Sequence, residues 1–331
     1  MKNIDSLIEK IYRSVEKHYL GNGAYKRFLL QDEKNTRSMD INEYGCADAI
    51  NILYSINRLP KGDEREKCIR ALQGLQKKDS GLFEEKTHHF IHTTAHCIAA
   101  LEIFDAEPLY PQREMLRFFT KEGISGLHEE VNWAGDPWGG SHLFAGAYVV
   151  GVLTDNVDSE WQSHYFSLLY DNTDPVYGMS RKGTIDPEKN NLHHHLNGWF
   201  HYMFNMEYAK RPLKHPEKLI DTCIKLYDEK KLGDTFGKNV GFAEVDWVFA
   251  LNRATRQTPH RFDEAKARLH DFALSYIDFL ESTDLDTHDR GNDLHSVFGA
   301  VCCLAELQTA LPGEYISSRP LRLVLDRRPF I

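Results

Sequence analysis

The chain reads Asn190-Asn191-Leu192-His193-His194-His195-Leu196-Asn197-Gly198-Trp199-Phe200-His201-Tyr202 a little past its middle. These thirteen residues include four histidines, three asparagines and three aromatic residues. A polar, histidine-rich start followed by apolar residues is typical of a loop that leads into a helix with an apolar face. Versions of this arrangement recur at a nearly constant interval along the chain, and the recurrence predicts the fold.

The interval is visible when the small residue in the middle of each apolar helical segment is marked. These residues are Ala49, Cys97, Ala147, Gly198, Ala250 and Ala300, so the successive intervals are 48, 50, 51, 52 and 50 residues. A repeat of this length is typical of arrays of supersecondary units and of closed toroids. Each repeat therefore predicts one structural unit of the same kind.

Each unit pairs a helix that is apolar on nearly every side with an amphipathic one. The apolar helices are predicted at 47–56, 94–104, 143–153, 196–206, 247–254 and 297–307. The amphipathic helices are predicted near 5–17 and at 63–76, 111–121, 158–170, 216–229 and 262–281. A helix without a polar face is buried, whereas a helix with a charged stripe faces water. The sequence therefore predicts an all-α (α/α)6 barrel, a toroid of six helical hairpins with an inner and an outer ring.

The connections between these helices differ in length. Links from inner to outer helices are short, whereas links from outer to inner helices exceed the ~2–8 residues usual between helices and predict a functional end. That end carries the starts of the inner helices. No linker interrupts the repeats, so we predict one domain over 1–331, in which 313–331 form a C-terminal tail packing on the barrel.

Charge and composition argue against several classes of partner. The formal charge is −9 and there is no long basic run, so we expect no nucleic-acid partner. No apolar run approaches the ~20 residues of a membrane span, and the amphipathic start lacks the apolar region of a signal peptide. The six cysteines form no Cys-x-x-Cys pair, which indicates reduced core residues. We therefore expect a cytoplasmic protein without a membrane partner. The sequence leaves the oligomeric state open, a homo-oligomer included.

Two neighbouring segments match a repeat of a known type. They are Leu72-Gln73-Gly74-Leu75-Gln76-Lys77-Lys78-Asp79-Ser80-Gly81-Leu82-Phe83 and His92-Thr93-Thr94-Ala95-His96-Cys97-Ile98-Ala99-Ala100-Leu101. They resemble one repeat of the terpenoid-cyclase and protein-prenyltransferase toroids. The size of the chain and the Asp, Glu, His and Trp residues near the inner-helix starts resemble more closely the six-hairpin glycosidases and related uronate-processing enzymes. The resemblance covers residues 1–310 as architecture, and this fold hosts many reactions.

Isoprenoid chemistry does not carry over residue by residue. The resemblance to prenyltransferases implies a zinc-binding Asp-x-Cys at an inner-helix start, but Asp246 is followed by Trp247 and Val248. The Asp-x-Cys that begins at Asp221 lies midway along an outer helix. Class II cyclases need Asp-x-Asp-Asp, and the partial match at Asp284 lacks the last aspartate. An isoprenoid-binding or terpenoid-cyclase-like toroid therefore stays an alternative of lower rank.

Histidines form the first candidate set for the site. Five residues before the repeat markers the chain carries Tyr44, His92, His142, His193, Val245 and His295. We predict that these side chains form a ring at the mouth of the barrel, where they bind sugar hydroxyls or an anionic substrate. Neighbouring helices pack ~8–10 Å apart, whereas histidine–metal bonds are ~2 Å long. Only His142 and His193, helped by His194 or Asp136, would converge, so we predict no metal and no other cofactor.

Carboxylates form the second set. Asp136 lies between Trp133 and Trp138, whose apolar surroundings would raise its pKa, as a general acid requires. Glu244 and Asp246 flank the start of the fifth inner helix and are its candidate partners. Glycoside hydrolysis uses two such groups, ~5–5.5 Å apart for retention and ~6.5–9.5 Å apart for inversion. Each of these acids has a plainer alternative as a helix cap.

The predicted function follows from these sets. We expect a glycoside hydrolase that acts on a small, acidic, uronic acid-containing oligosaccharide, with Asp136, Asp246, Glu244 and His193 as catalytic residues. Its substrate-binding residues are predicted to be Glu43, Tyr44, His92, Trp133, Trp138, His142, Arg181, Asn191, His194, Trp199, Trp247 and His295. Tryptophans stack on the apolar faces of sugars, and arginine binds carboxylates.

The same residues allow a second mechanism. A lyase would abstract the proton next to a uronate carboxylate with histidine or Tyr44, while Asn191 neutralises the carboxylate. The sequence does not separate elimination from hydrolysis.

Overall fold

Helices fill most of the chain in the computed structural model, which describes residues 1–189 and 191–330. Over these residues there are thirteen α-helices, one 3-10 helix at Arg113–Phe118 and four strands of two or three residues. The all-α class predicted from the sequence is therefore confirmed. Asn190 and Ile331, the last residue of the predicted tail, lie outside the described residues.

Six helices are buried on nearly all sides. They are α2 (Glu43–Ser55), α4 (Phe90–Glu102), α6 (Pro137–Leu153), α8 (Leu192–Tyr208), α10 (Ala243–Thr255) and α12 (Leu294–Ala310). Each begins three to six residues before its predicted apolar segment. Capping residues start some of them: Asn42 accepts hydrogen bonds from two backbone N–H groups of α2, and Asp293 accepts one from α12.

Helices with a charged face alternate with the buried ones. They are α1 (Asp5–Lys17), α3 (Gly62–Gln73), α5 (Lys121–Glu130), α7 (Ser159–Asn172), α9 (Pro216–Asp228) and α11 (Phe262–Ser282). The outer helix predicted at 111–121 is instead the 3-10 helix, and α5 follows it. Thr120 starts α5 as its cap, accepting a hydrogen bond from Gly123 at 3.0 Å. No helix within the described ranges is both long and apolar enough to cross a bilayer.

The buried helices contact one another in chain order. Contacts join α2 to α4, α4 to α6, α6 to α8, α8 to α10 and α10 to α12. Helix α12 in turn contacts α2, so the series of contacts closes on itself. Amphipathic helices pack outside this series, with α9 and α11 against α10 and with α3 against α2. Four of the buried helices, α4, α6, α10 and α12, begin beside one common cavity.

Gly198 allows α8 to lie directly against the start of α6. A Cβ atom built on Gly198 would lie 2.5 Å from the carbonyl oxygen of Pro137, closer than carbon and oxygen can approach. We expect Gly198→Ala to lower the free energy of unfolding by about 1–3 kcal/mol, the usual cost of overpacking, although alanine favours helices. Urea denaturation measures this change.

Gly126 provides the matched control for that substitution. It lies in the exposed face of α5, and a Cβ there would have no atom within 4 Å. Gly126→Ala should therefore stabilise the protein by about 0.5–1 kcal/mol. Equal changes in the two variants would show that the α6–α8 contact does not need glycine.

Short strands connect distant parts of the chain. Strand β1 (Lys2–Asn3) pairs in parallel with β4 (Tyr315–Ile316), while β2 (Tyr19–Gly21) and β3 (Ala24–Tyr25) form a small antiparallel hairpin before α2. After β4 the tail forms a one-turn helix, α13 (Val324–Arg327), which contacts α8 and α2. Phe330 is buried, and its ring lies 5.0 Å from that of His92. This part of the tail thus lies among the buried helices.

Candidate active site

A cavity of about 200 Å³ lies where the buried helices begin. The first turns of α4, α6, α10 and α12 and the middle of α8 contribute to its wall. Five histidines line it, together with two aspartates, two arginines, three large aromatic residues and a serine. Such a wall of polar side chains and aromatic rings is typical of a site for a small polar ligand.

Three of the histidines converge from three successive buried helices. His92 of α4, His142 of α6 and His201 of α8 each place one ring nitrogen within 4.8 Å of the other two. A hydrogen bond of 2.6 Å joins His92 Nδ1 to the hydroxyl of Tyr44, and one of 3.0 Å joins His201 Nδ1 to Ser141 Oγ. Burial lowers the pKa of His201 to about 3 and the pKa values of His92 and His142 well below 6.5. All three rings are therefore neutral near pH 7.

A second polar trio lies beside the first, and both carboxylate oxygens of its aspartate are hydrogen-bonded. The carboxylate of Asp48 accepts hydrogen bonds from His96 Nε2 at 2.7 Å and His295 Nδ1 at 3.1 Å. Burial would raise the pKa of Asp48, but the two imidazoles lower it below its usual range. Since His295 also lines the cavity, Asp48 orients it toward that space.

Asp246 is the exceptional carboxyl group of the cavity. It is fully buried, and neither of its oxygens has a hydrogen-bond partner among the described residues. Burial, and then the neighbouring charge of Glu244, raise the pKa of Asp246 well above its ordinary value. Burial therefore favours the protonated, uncharged form of this side chain at the cavity wall.

Glu244 does not line the cavity, and its carboxylate binds the backbone of the adjacent loop. It is buried, and its carboxylate accepts a hydrogen bond from the backbone N–H of Gly237 at 3.0 Å. Burial raises the pKa of Glu244 to about 7. Because it is absent from the cavity wall, it does not share the site with Asp246 as predicted.

The raised pKa of Glu244 makes stability depend on pH. The buried carboxyl loses its proton near pH 7 in the folded protein, against an ordinary pKa of 4.5. Between these values the folded state holds a proton that the unfolded state has lost, so stability falls as pH rises. We expect Glu244→Gln to raise the free energy of unfolding by about 1–3 kcal/mol at pH 8, with no gain near pH 4.5.

Denaturant titrations at both pH values measure this effect. Glutamine keeps an oxygen that accepts the hydrogen bond from Gly237 but carries no charge. Glu33→Gln, at an exposed position, is the control and should change stability by less than about 0.5 kcal/mol at either pH. A pH-independent effect of Glu244→Gln would contradict the assignment.

A buried ion pair holds the mouth of the cavity. Arg27, from the segment after β3, donates to both carboxylate oxygens of Asp293 at 2.8 and 3.0 Å and to Thr87 Oγ1 at 2.7 Å. Glu85 lies 3.6 Å from the same guanidinium. Arg290 is exposed at the rim and forms no ion pair with the residues that the structure describes. The mouth thus combines a neutralised arginine with one that is available to an anion.

The structure brings part of the predicted site together. Five predicted residues line the cavity, namely His92, Trp138, His142, Asp246 and His295. Tyr44 lies directly behind them, with its ring 4.6 Å from that of His295. Glu43 lies in a neighbouring groove of about 670 Å³ that shares Arg27, Arg290 and Asp293 with the cavity. These residues form one continuous region at the mouth.

The predicted histidine ring is wrong at α8, because this helix is shifted along its axis relative to α6. Gly198 of α8 lies level with Pro137, the first residue of α6. The start of α8 therefore extends past the mouth, and His193 does not line the cavity. His201, about two turns further along, takes the predicted place, with its ring 4.8 Å from that of His142.

Asn191 and His194 lie beside His193 at the start of α8, which extends past the mouth of the cavity. His194 is exposed, and the side chain of Asn191 caps no backbone group of the helix. Neither lines the cavity. The prediction that they bind substrate there is therefore corrected.

Asp136 does not have the environment that a general acid requires. It is exposed, and its carboxylate caps α6 by accepting a hydrogen bond from Gly139 at 2.9 Å. Trp133 does not flank it, because the indole N–H donates to the carbonyl of His128 at 2.8 Å and the ring is buried. The expected desolvation by two tryptophans is wrong, and the alternative reading of Asp136 as a helix cap is correct.

Three other predicted binding residues face away from the cavity. Trp199 and Trp247 are fully buried, and the indole N–H of Trp247 donates to the carbonyl of Cys223 at 2.9 Å. Arg181 forms a surface ion pair with Glu129 at 3.0 Å. Trp247 and Arg181 thus have their polar partners within the protein, whereas Trp199 contributes by packing, with its ring 5.6 Å from that of Tyr202.

Several lining residues were not among the predicted ones. They are Arg27, His88, Phe200, His201, Phe242 and Ser296. One available signal was the spacing of four residues between His88, His92 and His96, although His88 precedes α4 and only His92 and His96 share a helix face. Arg27 had no comparable signal, because it comes from a segment without regular structure.

Comparison with other proteins gives no family to which the chain can be assigned. No family model, no curated protein and no solved structure matches it. The chemistry of the site therefore has to be inferred from its own residues.

Proposed function

We propose that this chain is an (α/α)6-barrel enzyme that acts on a small acidic saccharide, with Asp246 as its proton donor. The closed series of contacts among the six buried helices supports the barrel. The enzymatic part rests on Asp246, a fully buried carboxyl group in the cavity wall without a hydrogen-bond partner. Buried polar groups are nearly always paired, so an unpaired one at a cavity is available to a ligand.

Two carboxyl groups of the cavity lie in opposite environments. Burial raises the pKa of Asp246, so that this group keeps its proton, whereas Asp293 is ion-paired with Arg27. Glycoside hydrolysis requires one protonated and one ionised carboxyl group. We assign Asp246 as the general acid that protonates the leaving oxygen and Asp293 as the carboxylate that assists the attacking water. In this mechanism Asp246 takes the general-acid role predicted for Asp136, and Asp293 takes the role of its partner.

The size and lining of the cavity support a small, ring-shaped substrate with a negative charge. Its volume of about 200 Å³ is below the ~300–1,000 Å³ of most ligand pockets, so the occupant is small. Trp138, Phe200 and Phe242 offer aromatic surface to the apolar face of a sugar ring. The guanidinium of Arg290 at the rim suits the carboxylate of a uronic acid. The neighbouring groove offers space for a second sugar unit.

Elimination is the second candidate, and one observation favours it. His92 is neutral and hydrogen-bonded to Tyr44, so its other ring nitrogen can accept a proton from a carbon next to a carboxylate. Protonated Asp246 could then stabilise the negative charge that develops on the substrate. An apolar ligand fits less well, because five histidines and two aspartates line the cavity.

Product analysis tests both candidates. The purified protein is incubated with a panel of uronic acid-containing and neutral oligosaccharides, and the products are identified by mass spectrometry and ultraviolet absorbance. Hydrolysis adds one water per cleaved bond, whereas elimination yields an unsaturated product that absorbs in the ultraviolet. Absence of any product, together with no effect of any saccharide on thermal unfolding, would overturn the proposal.

We further propose that the enzyme works in the cytoplasm on saccharides already present there. The six cysteines, all free and buried, support a reducing environment. The formal charge of −9 supports a small-molecule partner over a nucleic acid.

A further inference from the structure

Three histidines of the cavity have the composition of a metal site. One ring nitrogen of each of His92, His142 and His201 lies within 4.8 Å of the other two, and the three side chains come from α4, α6 and α8. We infer that these residues bind one divalent transition-metal ion of the zinc class. Imidazole is a preferred ligand of such ions, and three histidines leave the fourth position of a tetrahedral site open.

The hydrogen bonds behind the rings support this inference. His92 uses Nδ1 for the hydroxyl of Tyr44, and His201 uses Nδ1 for Ser141 Oγ, so Nε2 of each ring remains free. Ser141 is itself held by the carbonyl of Trp138 at 2.6 Å. Metal-binding histidines typically use their second nitrogen in this way, which sets the tautomer and the direction of the ring.

To bind one ion, the three ring nitrogens have to move only a short distance toward one another. Zinc–nitrogen bonds of ~2.0–2.1 Å in a tetrahedron separate the nitrogens by roughly 3.4 Å. The observed separations of at most 4.8 Å therefore have to shorten by no more than roughly 1.4 Å. Rotation of imidazole rings about their side-chain bonds covers this distance, and His142, which is only half-buried, has the most room to move.

The prediction of no metal assumed that the histidines lie at the same level on neighbouring helices. At that level the spacing of the helices keeps the rings too far apart to share an ion. The axial shift of α8 changes this geometry, because it brings His201 to the level of His142. The other trio, of Asp48, His96 and His295, is not assigned as a metal site. Its ring nitrogens already donate to Asp48, so a metal would have to displace satisfied hydrogen bonds.

The open position would give the ion a role as a Lewis acid toward a water or a ligand oxygen. Asp246 lines the same cavity and could exchange a proton with that water. Binding of the ion itself does not require the saccharide substrate proposed above. The two proposals can therefore be tested separately.

Metal titration of the whole protein is the test. Protein without a polyhistidine tag is dialysed against a chelator and titrated with Zn²⁺ by calorimetry and with Co²⁺ by visible absorption. We expect one ion per chain and a Co²⁺ spectrum of tetrahedral type. His142→Gln and His201→Gln should weaken binding by more than ~100-fold, and Ser141→Ala by ~10–100-fold.

His193→Gln is the control, because this neighbouring histidine lies outside the cavity. It should bind the ion as the parent does, and thermal unfolding shows whether each variant is folded. Absence of binding in the parent, or unchanged binding by folded His142→Gln, overturns the metal site. Loss of binding in His295→Gln but not in His142→Gln also overturns it, since the ion then sits at the other trio. Turnover by a protein that binds no ion rejects the metal site alone, whereas full metal binding without turnover of any saccharide rejects only the proposed function.

Discussion

Asp246→Asn should reduce turnover of the substrate by about 10²–10⁴-fold, the usual contribution of a general acid. Asparagine has nearly the same shape, but it cannot donate a proton to the leaving oxygen. The loss should appear in kcat as well as in kcat/KM, because proton transfer occurs in the transition state. Steady-state kinetics on the saccharide identified by product analysis measures it.

Stability separates this catalytic loss from a structural one. No hydrogen bond of Asp246 is lost, because its oxygens have no partners among the described residues. Ionisation of this buried group opposes folding at high pH, since burial raises its pKa. The Asp246→Asn variant should therefore unfold at the same temperature as the parent or above it. A variant with full activity would remove Asp246 from the mechanism.

Asp136→Asn is the matched control for Asp246. Asn caps helices as well as Asp does, so the hydrogen bond with Gly139 is kept and stability should be unchanged. Turnover should also stay near that of the parent, because this side chain is exposed and outside the cavity. The opposite pattern in the two variants would restore Asp136 as the acid and reject Asp246.

Arg27→Met should lower the free energy of unfolding by about 3–5 kcal/mol, the typical result of removing one partner from a buried ion pair. The substitution leaves Asp293 and Glu85 buried without their cation. It also removes the side-chain ion pair between the segment after β3 and the start of α12, although the backbone hydrogen bond from the N–H of Leu294 to the carbonyl of Arg27 at 2.9 Å remains. Urea denaturation at neutral pH measures the loss.

An exposed pair with the same geometry serves as the control. Arg268 donates to both oxygens of Asp228 at 2.8 and 3.0 Å, but these side chains are 29% and 41% exposed. Arg268→Met should cost no more than about 1 kcal/mol, because water replaces the lost partner. A loss as small in Arg27→Met would mean that the mouth of the cavity is open to water and that Asp293 is not held as described.

Much of the architecture could be predicted from local patterns, but the site could be predicted only in part. The repeat markers from Ala49 to Ala300 each fall within a buried helix. By contrast, the same position in each repeat does not have the same surroundings. His92 and His142 line the cavity, whereas the corresponding His193 lies beyond it. Asp136 and Asp246 look alike in sequence, yet the first is an exposed cap and the second a buried acid without a partner.

The sequence by itself determined the all-α class and the alternation of buried with amphipathic helices. The reason is that the spacing of apolar residues at the 3.6-residue helical period sets which faces of a helix are buried. Only the tertiary structure decided which polar residues meet. The reason is that the level of each helix depends on contacts distant in sequence, such as Gly198 against Pro137. That contact projects His193, His194 and Asn191 past the mouth. It also raises His201 to the cavity, where the three histidines converge.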